Sequence, residues 1–205
     1  MNDYEIRCYK KKDELNWLDT HASVMVDSTA WWTVIHSKPE YDNEIIDLVV
    51  EQSDEIVGFI TTELNSNVID FIEDDYGFVW EFGIHRDHRG KGLGKKLIER
   101  THQLMRERYD INKSIWFSQD DNAQQYYEKL GMNEIERHWQ FSVKPSKKLK
   151  NKLLEKSFEC WNMRGSCDIE QFKKVKENFE LIKDDEALKP RLCIGYSYIP
   201  ETGEK

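Results

Sequence analysis

Long apolar runs, paired cysteines and, over one long stretch, basic side chains are what this 205-residue chain lacks. No segment approaches the roughly 20 apolar residues that cross a bilayer. The opening "MNDYEIRCYKKKDELNW" has no signal-peptide core, so a cytoplasmic protein with no membrane partner is predicted. Four cysteines (Cys8, Cys160, Cys167, Cys193) form neither a CxxC pair nor a Cys/His metal spacing, which points to idle reduced thiols and no metal. Between Pro39 and His85 there is no Lys or Arg against thirteen acids, whereas Arg86 to Arg108 holds eight Lys/Arg against three acids. Such a reversal predicts a cationic pocket beside an anionic one, although most of these side chains are accounted for as adjoining solvated faces. The net charge of -9 opposes a nucleic-acid partner.

With 39% hydrophobic and 12% aromatic residues, the chain has enough to bury one core. Residues 3–9 alternate as a first strand, and residues 11–22 carry Leu15, Leu18 and Ala22 at helical spacing. "DSTAWWTVIHS" predicts a second short helix capped by Asp27 or Ser28. "EIIDLVVEQ" and "EIVGFITTEL" read as a hairpin around "SDE", and "YGFVWEFGIH" as a third strand. A Gly-rich turn comes next, then a helix with Leu93, Leu97, Leu104 and Met105 on one stripe. "KSIWFSQ", "DNAQQYYEKLGM" and "NEIERHWQFSV" continue as strand, helix and strand, with Gly131 ending the helix. The pattern predicts an α/β fold on a mixed sheet: residues 1–144 as the main domain, 145–190 as a helical insertion, and 191–205 as a late strand returning to that sheet, then a tail.

"HRGKGLGKKLIE" (residues 88–99) sets three glycines and four Lys/Arg at the start of a helix. A helix N-terminus offers unpaired N–H groups and partial positive charge, so this turn suits a phosphate. It is neither a P-loop, since Lys96 stands where Ser or Thr would hold magnesium, nor a GxGxxG turn, since Gly90, Gly92 and Gly94 are spaced GxGxG.

Arg89, Gly92 and Gly94 do meet the pattern Gln/Arg-x-x-Gly-x-Gly/Ala, and "NAQQYYEKLGMNEI" supplies a second motif on a later helix. On these two motifs residues 3–143 resemble the GCN5-related N-acetyltransferases (GNAT family). Asp120 stands where the family commonly has Asn, which leaves Asp120 and Asn122 as alternatives for one cofactor contact, Asn122 being taken here; Met132 replaces a usual Phe. The resemblance implies a mostly antiparallel sheet with splayed strands and acetyl-CoA as cofactor. It places the pyrophosphate on the amides of Arg89, Gly90, Lys91, Gly92, Leu93 and Gly94, with Arg89, Lys91 and Lys95 adding charge. The pantetheine arm lies along Phe82, Gly83 and Ile84, where Gly83 presents no obstructing side chain.

Acetyl transfer to an amine calls for a base and an acid. The reference pKa values, near 10.4 for an alkylammonium and about 8.5 for a thiol, mean that the acceptor must lose a proton and the leaving group gains from receiving one. Strand alternation groups Glu81 with Val79, Gly83 and His85, and Glu81 is the chosen base, acting through water. A structural pair or an ammonium-binding role for Glu81 stands as its equal, and His85 is a weaker candidate. Tyr127 matches the family's proton donor, with Tyr126 as competitor. Trp31 and Trp32, with Trp80, are candidates for an aromatic wall around a cationic acceptor, weighed against core packing. The chain is thus read as an enzyme acetylating a small-molecule or peptide amine by direct attack in a ternary complex, the rival being a non-catalytic acyl-CoA sensor. Residues 145–190 are left to cover the acceptor or to form a homodimer.

Overall fold

The computed structural model describes residues 4–29, 33–66, 68–69, 71–72, 75–154 and 162–200. Thirteen elements run β1 (Glu5–Cys8), α1 (Glu14–Val26), β2 (Ile45–Gln52), β3 (Glu55–Leu64), β4 (Gly77–Ile84), α2 (Leu93–Tyr109), β5 (Ser114–Ser118), α3 (Asp121–Lys129), β6 (Asn133–Val143), α4 (Lys147–Leu154), β7 (Met163–Cys167), α5 (Ile169–Asn178) and β8 (Arg191–Tyr198). Eight strands form one sheet in the order β1-β2-β3-β4-β5-β8-β6-β7. Every pairing is antiparallel except β4 with β5. No helix among the described residues is long and apolar enough to cross a membrane.

The β2–β3 hairpin closes through Ser53 and Asp54, both at positive φ, as a two-residue turn that the sheet's twist demands. One core cluster joins the sheet to α2 and α3, with Leu93, Leu97, Leu104 and Met105 all inside it. A smaller cluster sits under α1 around Trp17, Val24, Val49, Ile56 and Phe59. Helix α3 ends in a Schellman arrangement: Gly131 takes φ +76°, its N–H reaches Glu128 O at 3.0 Å and the Met132 N–H reaches Tyr127 O at 3.1 Å.

Two expectations fail, each for a physical reason. In α1 the face carrying Leu15 is not the buried one: Leu15 is 79% exposed, and Trp17, Thr20, His21 and Val24 face the sheet instead. Trp17 outweighs a leucine in buried area, and Thr20 tolerates burial because its hydroxyl bonds the Asn16 carbonyl at 3.0 Å and the Ile56 carbonyl. The short helix expected after Asp27 and Ser28 falls largely on residues 30–32, which lie outside the described residues. Asp27 terminates α1, and the Ser28 hydroxyl donates to Met25 O at 2.9 Å. Residues 145–190 are not all helical, because Met163–Cys167 pairs antiparallel with β6 as an edge strand. Its sequence, MRGSC, carries no alternation, as befits a short edge strand exposed over most of its length. Strand β8 lies between β5 and β6, paired to both.

Candidate active site

Strands β4 and β5 share only two rungs, Gly77 with Ser114 and Phe78 with Ile115, and then diverge. Beyond Phe78 the edge of β4 that faces β5 therefore has no strand partner, while its other edge stays paired to β3. A cleft of about 750 Å³ occupies the splay, lined by β4, the turn before α2, β5 and the start of α3.

The turn is made by glycines that do different work. Gly90 and Gly92 sit at φ +75° and +74° with nothing within 4 Å of the space a Cβ would take, so backbone is exposed there. Gly94 is required for packing instead: a Cβ would stand 2.9 Å from the Tyr126 hydroxyl and 3.1 Å from the Phe82 ring. The first amide of α2 to find a helical acceptor is Lys96 N–H, on Gly92 O at 3.1 Å. Those of Gly90 to Lys95 have no backbone acceptor among the described residues. This row of free amides at the head of a 17-residue helix fits a diphosphate, and the open β4 edge fits an extended amide-bearing arm.

The basic side chains of the turn are turned elsewhere. Arg89 donates from Nε to Ile84 O at 2.9 Å and pairs with Asp27 at 3.1 Å. Lys91 reaches the Tyr4 hydroxyl at 2.7 Å, and Lys95 lies 3.7 Å from Glu99. Glu81, Phe82, Gly83, Ile84, Arg89, Gly90, Gly92, Leu93, Gly94, Asn122 and Tyr127 all line the cleft, whereas Lys91 and Lys95 do not. Trp31 and Trp32 lie outside the described residues. Trp80 does line the cleft, half exposed, with Nε1 donating to Glu63 at 2.8 Å.

Simple alternation misplaces Glu81. Thr61 pairs with Glu81 but Thr62 with Val79, so Trp80 is an extra residue in β4. A bulge of this kind shifts the side-chain phase by one residue and re-aims the side chains beyond it. Val79 accordingly packs with Phe82 and Ile84 on the α2 face. Glu81 and Gly83 lie under α1, where a Cβ on Gly83 would stand 2.5 Å from Val24. Glu81 thus shares its face with Gly83 and not with Val79.

Under α1 the Glu81 carboxylate meets His21 Nε2 at 3.1 Å. His21 lies 4.9 Å from Trp17, nearly parallel to it. Lys38 Nζ also sits 4.2 Å from the Trp17 ring, and lies 3.2 Å from Asp47 and 3.0 Å from the Thr61 hydroxyl. Burial pushes the Lys38 ammonium below its ordinary pKa against the pull of Asp47. Neither His21 nor Lys38 is singled out by the sequence motifs. The signal available for His21 is its place four residues after Trp17 and three before Val24, on the heaviest stripe of α1.

Part of the acidic surplus of residues 39–85 is spent on structure. Glu51 pairs with Arg7, Asp47 with Lys38, and Glu63 accepts from Trp80 and from the Asn43 N–H at 3.0 Å. Inside the cleft, Asp27 pairs with Arg86 and Arg89, and Asp120 caps α3 by accepting from the amides of Asn122 and Ala123, both at 3.0 Å, and from that of Thr29 at 2.8 Å. Glu81 is the cleft carboxylate bonded to neither a Lys or Arg nor a backbone amide among the described residues, its partner being His21. On the cleft's other wall, Tyr127 packs against Trp116 (5.2 Å) and Tyr196 (5.6 Å). Burial, seconded by the Asp120 charge, pushes its phenol well above the ordinary value, so the hydroxyl keeps its proton. Tyr126 stacks beside Phe82 at 6.1 Å, against the Gly94 turn.

Residues 7–132 match the family model described as the acetyltransferase (GNAT) family. Among solved structures, the ribosomal-protein-S18-alanine N-acetyltransferase of Escherichia coli is 14% identical, with 99% of this chain and 98% of that chain covered at a TM-score of 0.52. NAA60 of Arabidopsis thaliana in complex with acetyl-CoA is 12% identical, with 96% and 98% covered at 0.56. The PaiA N-acetyltransferase of Thermoplasma acidophilum in complex with coenzyme A is 16% identical, with 65% and 91% covered at 0.50. No curated protein sequence matches significantly. At these identities the structural likeness is one of fold.

Proposed function

The chain belongs to the GNAT acetyltransferase family and is an N-acetyltransferase that uses acetyl-CoA; on that premise we propose that it acetylates a primary amine of a basic acceptor, which attacks directly in a ternary complex. The observation that carries this reading is the carboxylate of Glu81 on the wall of a splayed-strand cleft, bonded to His21 through one oxygen only. Acetyl-CoA, when bound, supplies the acetyl thioester. The amides of residues 90–95 hold its diphosphate, with Asn122 adding a side-chain contact, and the Phe82–Ile84 edge aligns the arm. Arg89, already holding Ile84 O, stiffens the turn from behind.

An alkylammonium acceptor is almost wholly protonated at neutral pH, so a carboxylate beside it serves first as an anchor and then, through water, as the group that takes its proton. Glu81 fills both roles in this reading. Tyr127, kept protonated by burial, gives its hydroxyl proton to the departing thiolate. Backbone N–H groups of the splayed strand polarise the thioester carbonyl. Trp80, held by Glu63, walls the acceptor side with a rigid aromatic face. The chemistry is assigned to residues 1–144, since every cleft residue named lies there, and residues 145–190 are assigned as an appendage on the sheet's far edge.

The test is thiol release from acetyl-CoA with spermidine, tyramine, lysine, a peptide with a free N-terminus, and glutamate as acceptors. Turnover of the cationic amines is expected. Tyr127→Phe should lower kcat by about 10²-fold, the low end for one proton-transfer group, with coenzyme A affinity by calorimetry unchanged. Exclusive turnover of glutamate would overturn the basic acceptor, and full activity of Y127F would remove Tyr127 as the acid.

A further inference from the structure

The contact between α1 and β4 goes beyond packing. His21 is 1% exposed, yet its Nε2 lies 3.1 Å from Glu81 Oε2, while its Nδ1 is buried with no partner among the described residues. Burying an imidazole with one nitrogen unsatisfied is costly, and an apolar side chain of similar size would avoid that cost. The ring packs in a three-ring cluster with Trp17 (4.9 Å, 20°) and Phe59 (5.6 Å), which are themselves 5.0 Å apart, and this packing restricts its rotation. A carboxylate only accepts, so Nε2 carries the hydrogen. Glu81 Oε1 makes no hydrogen bond to any described residue.

We propose that His21 is a positioning residue for acetyl transfer: its Nε2–H pins one oxygen of Glu81 and leaves the other aimed into the cleft to take the acceptor's proton. This rests on the reading of Glu81 as anchor and base. The β4 bulge at Trp80 brings Glu81 to the α1 face, and His21 then fixes the rotamer of a carboxylate that would otherwise turn freely at the cleft wall. The charged and titratable groups around the pair are Lys38 and Tyr41 from the segment after α1, Asp47 from β2 and Glu63 from β3. Lys38 and Tyr41 each interact electrostatically with Glu81, and Asp47 and Glu63 with Tyr41. None of the four is hydrogen-bonded to Glu81. Their fields are the same in His21 variants, so a change in pH profile on substituting His21 reports the lost bond.

The experiment compares full-length His21→Leu, His21→Gln and Glu81→Gln with the wild type, using acetyl-CoA and spermidine, together with ¹⁵N spectra of the histidine rings. Leu keeps the volume and removes the donor, whereas the Gln amide sits where Nε2 was. H21L should lower kcat about tenfold, the measure of one hydrogen bond to a charged group, with the KM for acetyl-CoA unchanged. The pH profile of its kcat/KM should differ from that of the wild type, and H21Q should restore both. The ¹⁵N spectrum should place the His21 hydrogen on Nε2 in the wild type and show its resonance moved in E81Q. A hydrogen on Nδ1, or an H21L profile identical to the wild type while E81Q is inactive, overturns the role of His21 alone. A fully active E81Q overturns the reading of Glu81 on which it rests.

Discussion

The two ends of the cleft are built from different materials. At the proposed cofactor end the binding groups are main-chain: free amides at the head of α2 and an unpaired strand edge, with Lys91 and Lys95 bonded away from the opening and Arg89 engaged by Ile84 O and Asp27. At the proposed acceptor end they are side chains, Glu81 from β4 and Trp80 from the bulge, with His21 from α1 bonded to Glu81 from behind. A backbone site tolerates changes of side chain but not of backbone conformation. A side-chain site has the opposite sensitivity.

The sharpest break of that contrast is Glu81→Gln. Removing the base should lower kcat with a turned-over amine by about 10²- to 10⁴-fold, while calorimetric affinity for coenzyme A stays within about twofold, because no main-chain donor has changed. If E81Q loses coenzyme A instead, the two ends are not separable.

Next in size comes the hinge from which both ends diverge. His102 donates or accepts at 2.9 Å with Ser114, at the first shared rung of β4 and β5, and burial, helped by Arg106, lowers its pKa from 6.5 to about 4. The unfolded chain then binds the proton more readily than the folded one between those values. Stability is full above pH 6.5 and should fall by about 3 kcal/mol as the pH drops to 4. Urea unfolding of wild type and His102→Gln across pH 4 to 7 checks this, since the variant should show a flatter dependence.

Smaller effects test the cofactor end itself. Gly92→Ala places a Cβ at φ +74°, a conformation costing about 1 to 2 kcal/mol, so coenzyme A affinity should weaken about tenfold by calorimetry as the turn relaxes. Lys91→Ala and Lys95→Ala should each change it by less than about threefold, in line with exposed charges. If the lysine variants matter more than G92A, the turn is a side-chain site after all.

The same difference explains which features are legible in the sequence. Glycine spacing, the leucine stripe of α2 and the "YYEKLG" helix are local patterns, and each appears where its period places it. The Glu81 environment is not local. It depends on a one-residue bulge that flips the phase of β4, which strict alternation cannot anticipate. The buried face of α1 is ambiguous in the sequence because Leu15 and Leu18 fit a helical period as well as Trp17, His21 and Val24 do, and only the sheet selects between them. The β7 strand, exposed and containing Gly165, has no periodic signature at all.

Short-range chemistry therefore determined the family, the cofactor turn and the order of most elements, because glycine conformations and apolar periods act over a few residues. Which carboxylate is left free, which histidine holds it and which edge β7 covers were decided by residues about 20 to 60 positions apart meeting in space, and no spacing within one segment encodes such a meeting.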